Sequence, residues 1–239
     1  MRIEHLTKKV GKSILLHDIS FSLAKGEVFW FLWPNGAGKT TTMKCILGIM
    51  RPTLGDITIL GGSINDQDIR KKIGFMPENT YLYKYLTGDE FLDFNWAFYH
   101  LSATTLKERK DSVLEKVGLT YARSKRLNTY SKGMLQRIGL AQAILHDPEV
   151  IFLDEPMSGL DPIGRKMVKD LMLDLKKQGK TLFFNTHILS DVEAICDRFG
   201  IISKWELIAD MKVSDLSVWI EEYFMEKITL HQGENFRVQ

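Results

Sequence analysis

Apolar and polar residues alternate early in the chain. Ile19-Ser20-Phe21-Ser22-Leu23 puts every second residue on one face, the pattern of a half-buried strand, and Ala24-Lys25-Gly26 turns the chain. Glu27–Leu32 (EVFWFL) is almost continuously apolar, as in a strand buried on both faces. Pro34 to Gly38 breaks that run, and a helix is predicted from Thr40 through Met43 to Leu47, ending at Gly48. Further β segments are predicted at Asp56–Leu60 and Ile73–Met76.

From Thr87 to His146 the apolar spacing lengthens to a helical one. Phe91, Leu92, Phe94, Phe98 and Leu101 form one group, Leu106, Val113, Leu114 and Val117 a second, and Ile138, Leu140, Ile144 and Leu145 a third. Strand and helix then alternate: Val150–Leu153, Ile163–Lys177, Thr181–Asn185, a short helix over Leu189–Cys196, and a hairpin from Phe199–Ser203 and Glu206–Ala209. A last short helix is expected around Leu216–Ile228, with a polar end. The pattern predicts an α/β core carrying a helical insertion at roughly 79–147.

Composition narrows the class. The 239 residues are 44% hydrophobic and 26% charged, the mixture of an ordinary globular protein, which argues against disorder, a collagen-like fibre or a disulfide-stapled miniprotein. The net charge of +2 gives no dominant footprint for nucleic acid. Cys45 and Cys196 are far apart, share no metal-ligand spacing and read as reduced thiols. The first residues, MRIEHLTKKV, do not read as a signal peptide, and no apolar run reaches the ~18 residues of a membrane helix. A role at a membrane would need a spanning partner.

Candidate chemistry sits at two strand ends. Trp33-Pro34-Asn35-Gly36-Ala37-Gly38-Lys39-Thr40 matches the phosphate-loop pattern G-x-x-x-x-G-K-[ST] at every specified position but the first. Backbone N–H groups of the stretch from Asn35, Gly36 and Ala37 to Gly38 and Lys39 would cradle phosphate oxygens, with the start of the following helix, Thr40 and Thr41, aimed at them. Lys39 would neutralise the β/γ-phosphates and Thr40 would place its hydroxyl on Mg²⁺. A plain Gly-rich turn before a helix is the alternative, and the strand-loop-helix setting argues against it. The second strand, Val150–Leu153, ends in Asp154-Glu155-Pro156. Asp154 suits Mg²⁺ and Glu155 can take a proton from an attacking water; a cap pair for the next helix is the competing reading. Together with the phosphate loop, the acidic pair reads as the other half of a nucleoside-triphosphate site.

In this order the motifs resemble the nucleotide-binding subunit of ABC transporters, over about residues 2–225. Tyr130-Ser131-Lys132-Gly133-Met134 with Leu135-Gln136-Arg137 is similar to the signature motif. Met157-Ser158-Gly159-Leu160-Asp161-Pro162 is similar to the D-loop, Asn185-Thr186-His187 to the switch-histidine segment, and Phe75-Met76-Pro77-Glu78 to the Q-loop. The resemblance implies a P-loop NTPase core with a mostly parallel sheet, an N-terminal antiparallel β subdomain and the helical insertion. It implies one domain over 1–225 and a C-terminal tail over 226–239. ATP and Mg²⁺ are the implied ligands, and an integral membrane permease and a second copy or a paralogous ATPase subunit the implied partners. The implied location is peripheral, on the cytoplasmic face of the membrane, with no nucleic-acid partner.

By the same resemblance two copies sandwich ATP head to tail, with Ser131, Lys132, Gly133 and Met134 facing the γ-phosphate bound by the other copy. His187 steadies the γ-phosphate and the water, Asp161 orders the dimer interface, and Glu78 stands at a metal-ligating position where many relatives carry Gln, a style closer to exporters. Val10 stands where the family commonly stacks adenine on an aromatic ring. A soluble ABC-type ATPase acting on the ribosome or DNA, or a catalytically weak regulatory subunit, are the alternatives. The aromatics Tyr81, Tyr83, Tyr85, Phe91, Phe94 and Phe98 either form a groove for a permease helix or fill the core of the insertion; core is expected for most.

The tryptophans stand apart. Trp33 occupies the first phosphate-loop glycine position, and Trp205 sits in the tight turn Ser203-Lys204-Trp205-Glu206, which calls for positive φ. Trp30, and loosely Trp96, align with family glycines.

Overall fold

The structure is a computed structural model and describes residues 1–32, 39–78, 82–99, 102–189 and 193–232. The chain forms two compact units, one of Met1–Arg70 with His187–Gln239, the other of Lys71–Thr186.

The first unit opens with strands β1 (Arg2–Val10) and β2 (Ser13–Ser22), and β4 (Leu54–Thr58) pairs with the far edge of β1, all antiparallel. The registers Ile3↔Phe21 and Leu6↔Ile19 bring buried apolar residues opposite one another, as the alternation at 19–23 requires. Strand β3 (Val28–Leu32) is buried at all five positions. It runs parallel to β8 (Arg198–Ser203), which turns back into β9 (Glu206–Lys212). Phe21 stacks on Phe29 with centroids 5.4 Å apart, joining the two sets of strands, and Arg198 lies over the Phe29 ring. Helices α1 (Lys39–Ile46), α2 (Gln67–Arg70) and, near the C-terminus, α7 (Ile220–Gln232) complete the unit.

Three sequence expectations shift here. The strand predicted at Asp56–Leu60 lies two residues earlier, because Leu60 takes φ 52 in a turn closed by Ile59 and Gly62. The last helix starts at Ile220 rather than near Leu216, whose backbone is extended. The helix expected over Leu189–Cys196 falls partly on 190–192, outside the described residues, and 193–195 form a turn. The two cysteines are free and buried.

The second unit has three parallel strands, β5 (Ile73–Met76), β6 (Val150–Asp154) and β7 (Thr181–Asn185), adjacent in that order. All five positions of β6 and β7 are buried, the signature of strands covered on both faces. The unit's described residues also form α3 (Gly88–Trp96), α4 (Ala103–Lys116), α5 (Lys132–Ile144) and α6 (Pro162–Lys177); α5 and α6 pack on the strands, and α3 and α4 pack on α5. Helix α5 packs so closely on β5 that a Cβ on Gly74 would overlap the Ala143 carbonyl oxygen, so only glycine fits there. Thr87 and Glu90 form a capping box at the start of α3. Arg123 grips Asp89 through two bonds of 2.8 and 2.9 Å and Asp111 through a third of 2.7 Å, tying α3 to α4.

His146, at the end of α5, is buried, stacked on Tyr99 with ring centroids 3.8 Å apart, and its Nε2 lies 3.0 Å from the Ile73 carbonyl oxygen. Asp147, Lys180 and Arg109 are its charged neighbours. Burial holds its pKa down at about 4, below the usual 6.5, so the ring is neutral in the folded protein. The unfolded chain takes up a proton near pH 6.5 that the folded chain refuses until about pH 4. Stability from this group is therefore complete above pH 6.5 and lost as pH falls toward 4, by about 3 kcal/mol. Urea unfolding measured at steps across that window is expected to show the loss, and His146→Gln to remove this share of it.

Candidate functional site

The phosphate-loop residues Asn35, Gly36, Ala37 and Gly38 lie outside the described residues. Helix α1 begins at Lys39, directly after them. Its first turn, Lys39-Thr40-Thr41-Thr42, carries no acidic residue that would compete with an anion for the helix N-terminus. Thr40 is exposed, Thr41 half-buried and Thr42 buried, so Thr42 anchors the turn while Thr40 is accessible. Val10 ends β1 with 54% of its surface exposed. His187 follows directly on Thr186 and is exposed.

The second unit shapes the acidic pair. Asp154 ends β6, pairs in register with Asn185 at the end of β7, and is buried. Glu155, the next residue, is buried and turns into the left-handed region with φ 52. A bulky residue adopts that backbone only when its surroundings enforce it. They do so from both sides. The Glu155 N–H donates to Asn185 Oδ1 at 2.9 Å, and the Glu155 carbonyl oxygen accepts from Gln136 Nε2 at 2.7 Å. Both residues are buried side chains from other elements, α5 and β7. Neither was a candidate from sequence for holding Glu155; the available signal was a Gln amid the apolar positions of a helix and an Asn ending an apolar strand.

Ser131 caps α5, its Oγ accepting the Met134 N–H at 3.2 Å, and Asp161 caps α6, accepting the Gly164 N–H at 2.7 Å. Each side chain thus closes the first turn of its own helix. The two caps also border one open cavity of about 470 Å³ that Lys132, Gly133, Gly159 and Leu160 line with them. The structure so brings the signature-like and D-loop-like segments together, with the start of α5 opening into a space large enough for an anionic ligand. Glu78 is exposed after β5.

Hard oxygen donors suit Mg²⁺, and the Thr40 hydroxyl and the Asp154 and Glu155 carboxylates are of that kind. Among the described residues no group of three or more His, Cys, Asp or Glu could hold a metal by itself.

The aromatic expectation needs correction. Phe91 is buried, but Tyr83, Tyr85, Phe94 and Phe98 are exposed by 42 to 67%, and Tyr81 lies outside the described residues. The four exposed rings touch one another, Tyr83 tilted against Tyr85 and edge-to-face with Phe94, and Phe94 edge-to-face with Phe98 at 5.4 Å. They form a surface cluster rather than core.

Solved structures share this fold. An ATP-binding subunit of an ABC transporter superposes with a TM-score of 0.89 at 30% identity, covering 95% of this chain and 99% of that one. An ATP-binding cassette solved as a dimer in a post-hydrolysis state with ADP and Pi gives a TM-score of 0.81 at 25% identity, covering 89% of this chain and 98% of that one. The fold is therefore that of an α/β ATP-binding cassette, containing an antiparallel N-terminal sheet and parallel strands.

The ABC transporter family matches the chain over residues 16–158, and the chain belongs to that family as an ATP-binding domain. An uncharacterized ABC transporter ATP-binding protein of Nostoc is 48% identical over 207 residues, 86% of this chain. The chain spans 62% of that relative's length. The linearmycin resistance ATP-binding protein LnrL of Bacillus subtilis is 39% identical over 218 residues, covering 90% of this chain and 70% of LnrL. No helix among the described residues is long and apolar enough to cross a membrane.

Proposed function

We propose that the chain is the ATP-hydrolysing subunit of a membrane transporter that moves its substrate outward. The observation that carries this reading is Glu155, a buried carboxylate next to a second one at the end of a parallel strand, its peptide clamped in a strained conformation by Gln136 and Asn185. Strain of this kind collects where a side chain must be aimed.

Bound ATP with Mg²⁺ supplies the phosphoryl group and the charge neutralisation that ease its transfer. The chain's own residues do the rest. Asn35 to Gly38 present backbone N–H groups to the phosphates, Lys39 adds a positive charge, and Thr40, Thr41 and the start of α1 complete the cradle. Thr40, Asp154 and Glu78 hold the metal ion or its waters. Glu155 takes the proton of the attacking water at a carboxylate oxygen, and His187 orients that water. Ser131, Lys132, Gly133 and Met134 receive the γ-phosphate held by a second copy or a paralogue, with Asp161 ordering that interface. The dimeric cassette with ADP and Pi supports this arrangement.

The two units together make one ATP-binding domain, with 226–239 as its tail, and it sits at the cytoplasmic face of the membrane. The permease docks on the exposed cluster of Tyr83, Tyr85, Phe94 and Phe98, since clustered exposed aromatic rings mark interaction sites. Export is supported by the resistance role in the name of LnrL.

Each site needs two copies, so phosphate release from Mg·ATP is expected to rise more steeply than in proportion to protein concentration. A release rate strictly proportional to concentration would remove the dimer from the mechanism, and no release above buffer, with the permease present, would sink the ATPase reading.

A further inference from the structure

Among the described residues seven other than glycine have positive φ, and six of them lie between 45 and 61°: His5, Asp18, Leu60, Asp147, Glu155 and Lys204. The seventh, Trp205, has φ 72. That value falls among the glycines of the same chain, which run from 57 to 92°. It lies at the upper edge of the left-handed region, where a bulky residue is an outlier.

The turn itself shows what belongs there. Ser203 pairs with Glu206, so Lys204 and Trp205 form a two-residue hairpin turn with positive φ at both positions. Such a turn favours glycine at its second position. The chain contains a second turn of this form, Ile59-Leu60-Gly61-Gly62, closed by bonds of 2.9 and 3.0 Å, with φ 52 at Leu60 and φ 80 at Gly61. There the second position is glycine. The β1–β2 hairpin, with Val10 paired to Ser13, also carries a glycine, Gly11 at φ 57. At the position Trp205 holds, the 59–62 turn has glycine, whereas the β1–β2 turn has its glycine one place earlier and Lys12 in second place. Trp205 is 41% exposed, and its backbone carbonyl accepts the His17 N–H at 2.9 Å, a bond that glycine would keep.

A second tryptophan occupies a glycine position for an unrelated reason. Trp33 is the first residue of the phosphate-loop pattern, where the backbone must turn tightly beside an anion. A third, Trp219, is the N-cap of α7, its carbonyl accepting the Tyr223 N–H, and its side chain is 75% exposed. Glycine is a good N-cap and large apolar residues are poor ones. Trp30 and Trp96 are buried in ordinary strand and helix backbone and add nothing to the case.

We propose that residues 33 and 205 are glycine in the protein as its own cells make it, because both are encoded by UGA and that organism reads UGA as glycine. One decoding rule then accounts for a turn residue and a phosphate-loop residue that share no structural cause. The native protein has a complete phosphate loop and an unstrained turn.

The gene and the native protein test this. UGA is expected at both codons, and peptides from the organism's own protein are expected to carry glycine at 33 and 205. UGG at either codon, or tryptophan in either native peptide, overturns the proposal. With the chain as written, Trp205→Gly is expected to raise Tm by about 2–4 °C, and Trp205→Ala, which removes the ring but keeps a Cβ, to fall short of that. A Tm lowered by Trp205→Gly, or fully matched by Trp205→Ala, counts against glycine at 205. Trp33→Gly is expected to lower the Kd for Mg·ATP about tenfold or more. That arm rests on the ATP-binding reading above. An unchanged Kd beside UGA codons and glycine peptides would fault that reading and leave the decoding standing.

Discussion

Glu155→Gln is expected to retain Mg·ATP binding and to slow phosphate release by about 10²–10⁴-fold, the usual loss when a positioned general base is removed. The amide has the size and polarity of the carboxylate but cannot accept the water's proton. Glu155 is buried, and its backbone is held through its N–H by Asn185 and through its carbonyl by Gln136, so the substitution leaves those bonds in place. The variant is expected to accumulate as an ATP-bound dimer, visible by gel filtration as a shift that appears with Mg·ATP and not with Mg·ADP. Turnover at the parental rate would take Glu155 out of the mechanism. The clamp gives a subtler check: Gln136→Leu leaves the carboxylate but frees its peptide, and is expected to lower turnover with little effect on ATP affinity.

Lys39→Ala is expected to weaken Mg·ATP binding by at least about 30-fold, corresponding to roughly 2 kcal/mol, the lower end of what removing one member of a close charge pair costs. Lys39 opens α1, so the helix N-terminus remains to attract phosphate, and some affinity is expected to survive. Calorimetric titration of the parent and the variant compares the two directly. Equal affinities would refute the phosphate-loop assignment. The two variants differ in kind, one losing binding and the other losing chemistry, so a protein that failed both in the same way would point to misfolding instead.

Much of this molecule was legible in local pattern. β5 and β7 run over the residues expected, Ile73–Met76 and Thr181–Asn185, because a short apolar run bounded by polar turns is decided by its own residues. Helix α6 follows for the same reason, reinforced by Asp161 as its cap and Pro162 as its first residue. The positive φ expected in the 203–206 turn is also local, since two residues between paired strands leave few conformations. The error at β4 came from the same source: apolar Ile59 and Leu60 continue an alternation that the following glycines end.

The order of motifs along the chain, and with it the family, was thus set by the sequence: which residues could hold phosphate, accept a proton or cap a helix depends on their own chemistry and immediate neighbours. What needed the tertiary structure depends on partners far along the chain. Gln136 reaches Glu155 across 19 residues and Asn185 reaches it across 30, and no local window contains those bonds. The aromatics of the insertion have the spacing of core residues, yet four of them lie on the surface, because helical period specifies a shared face and only the packing of other elements decides whether that face is covered.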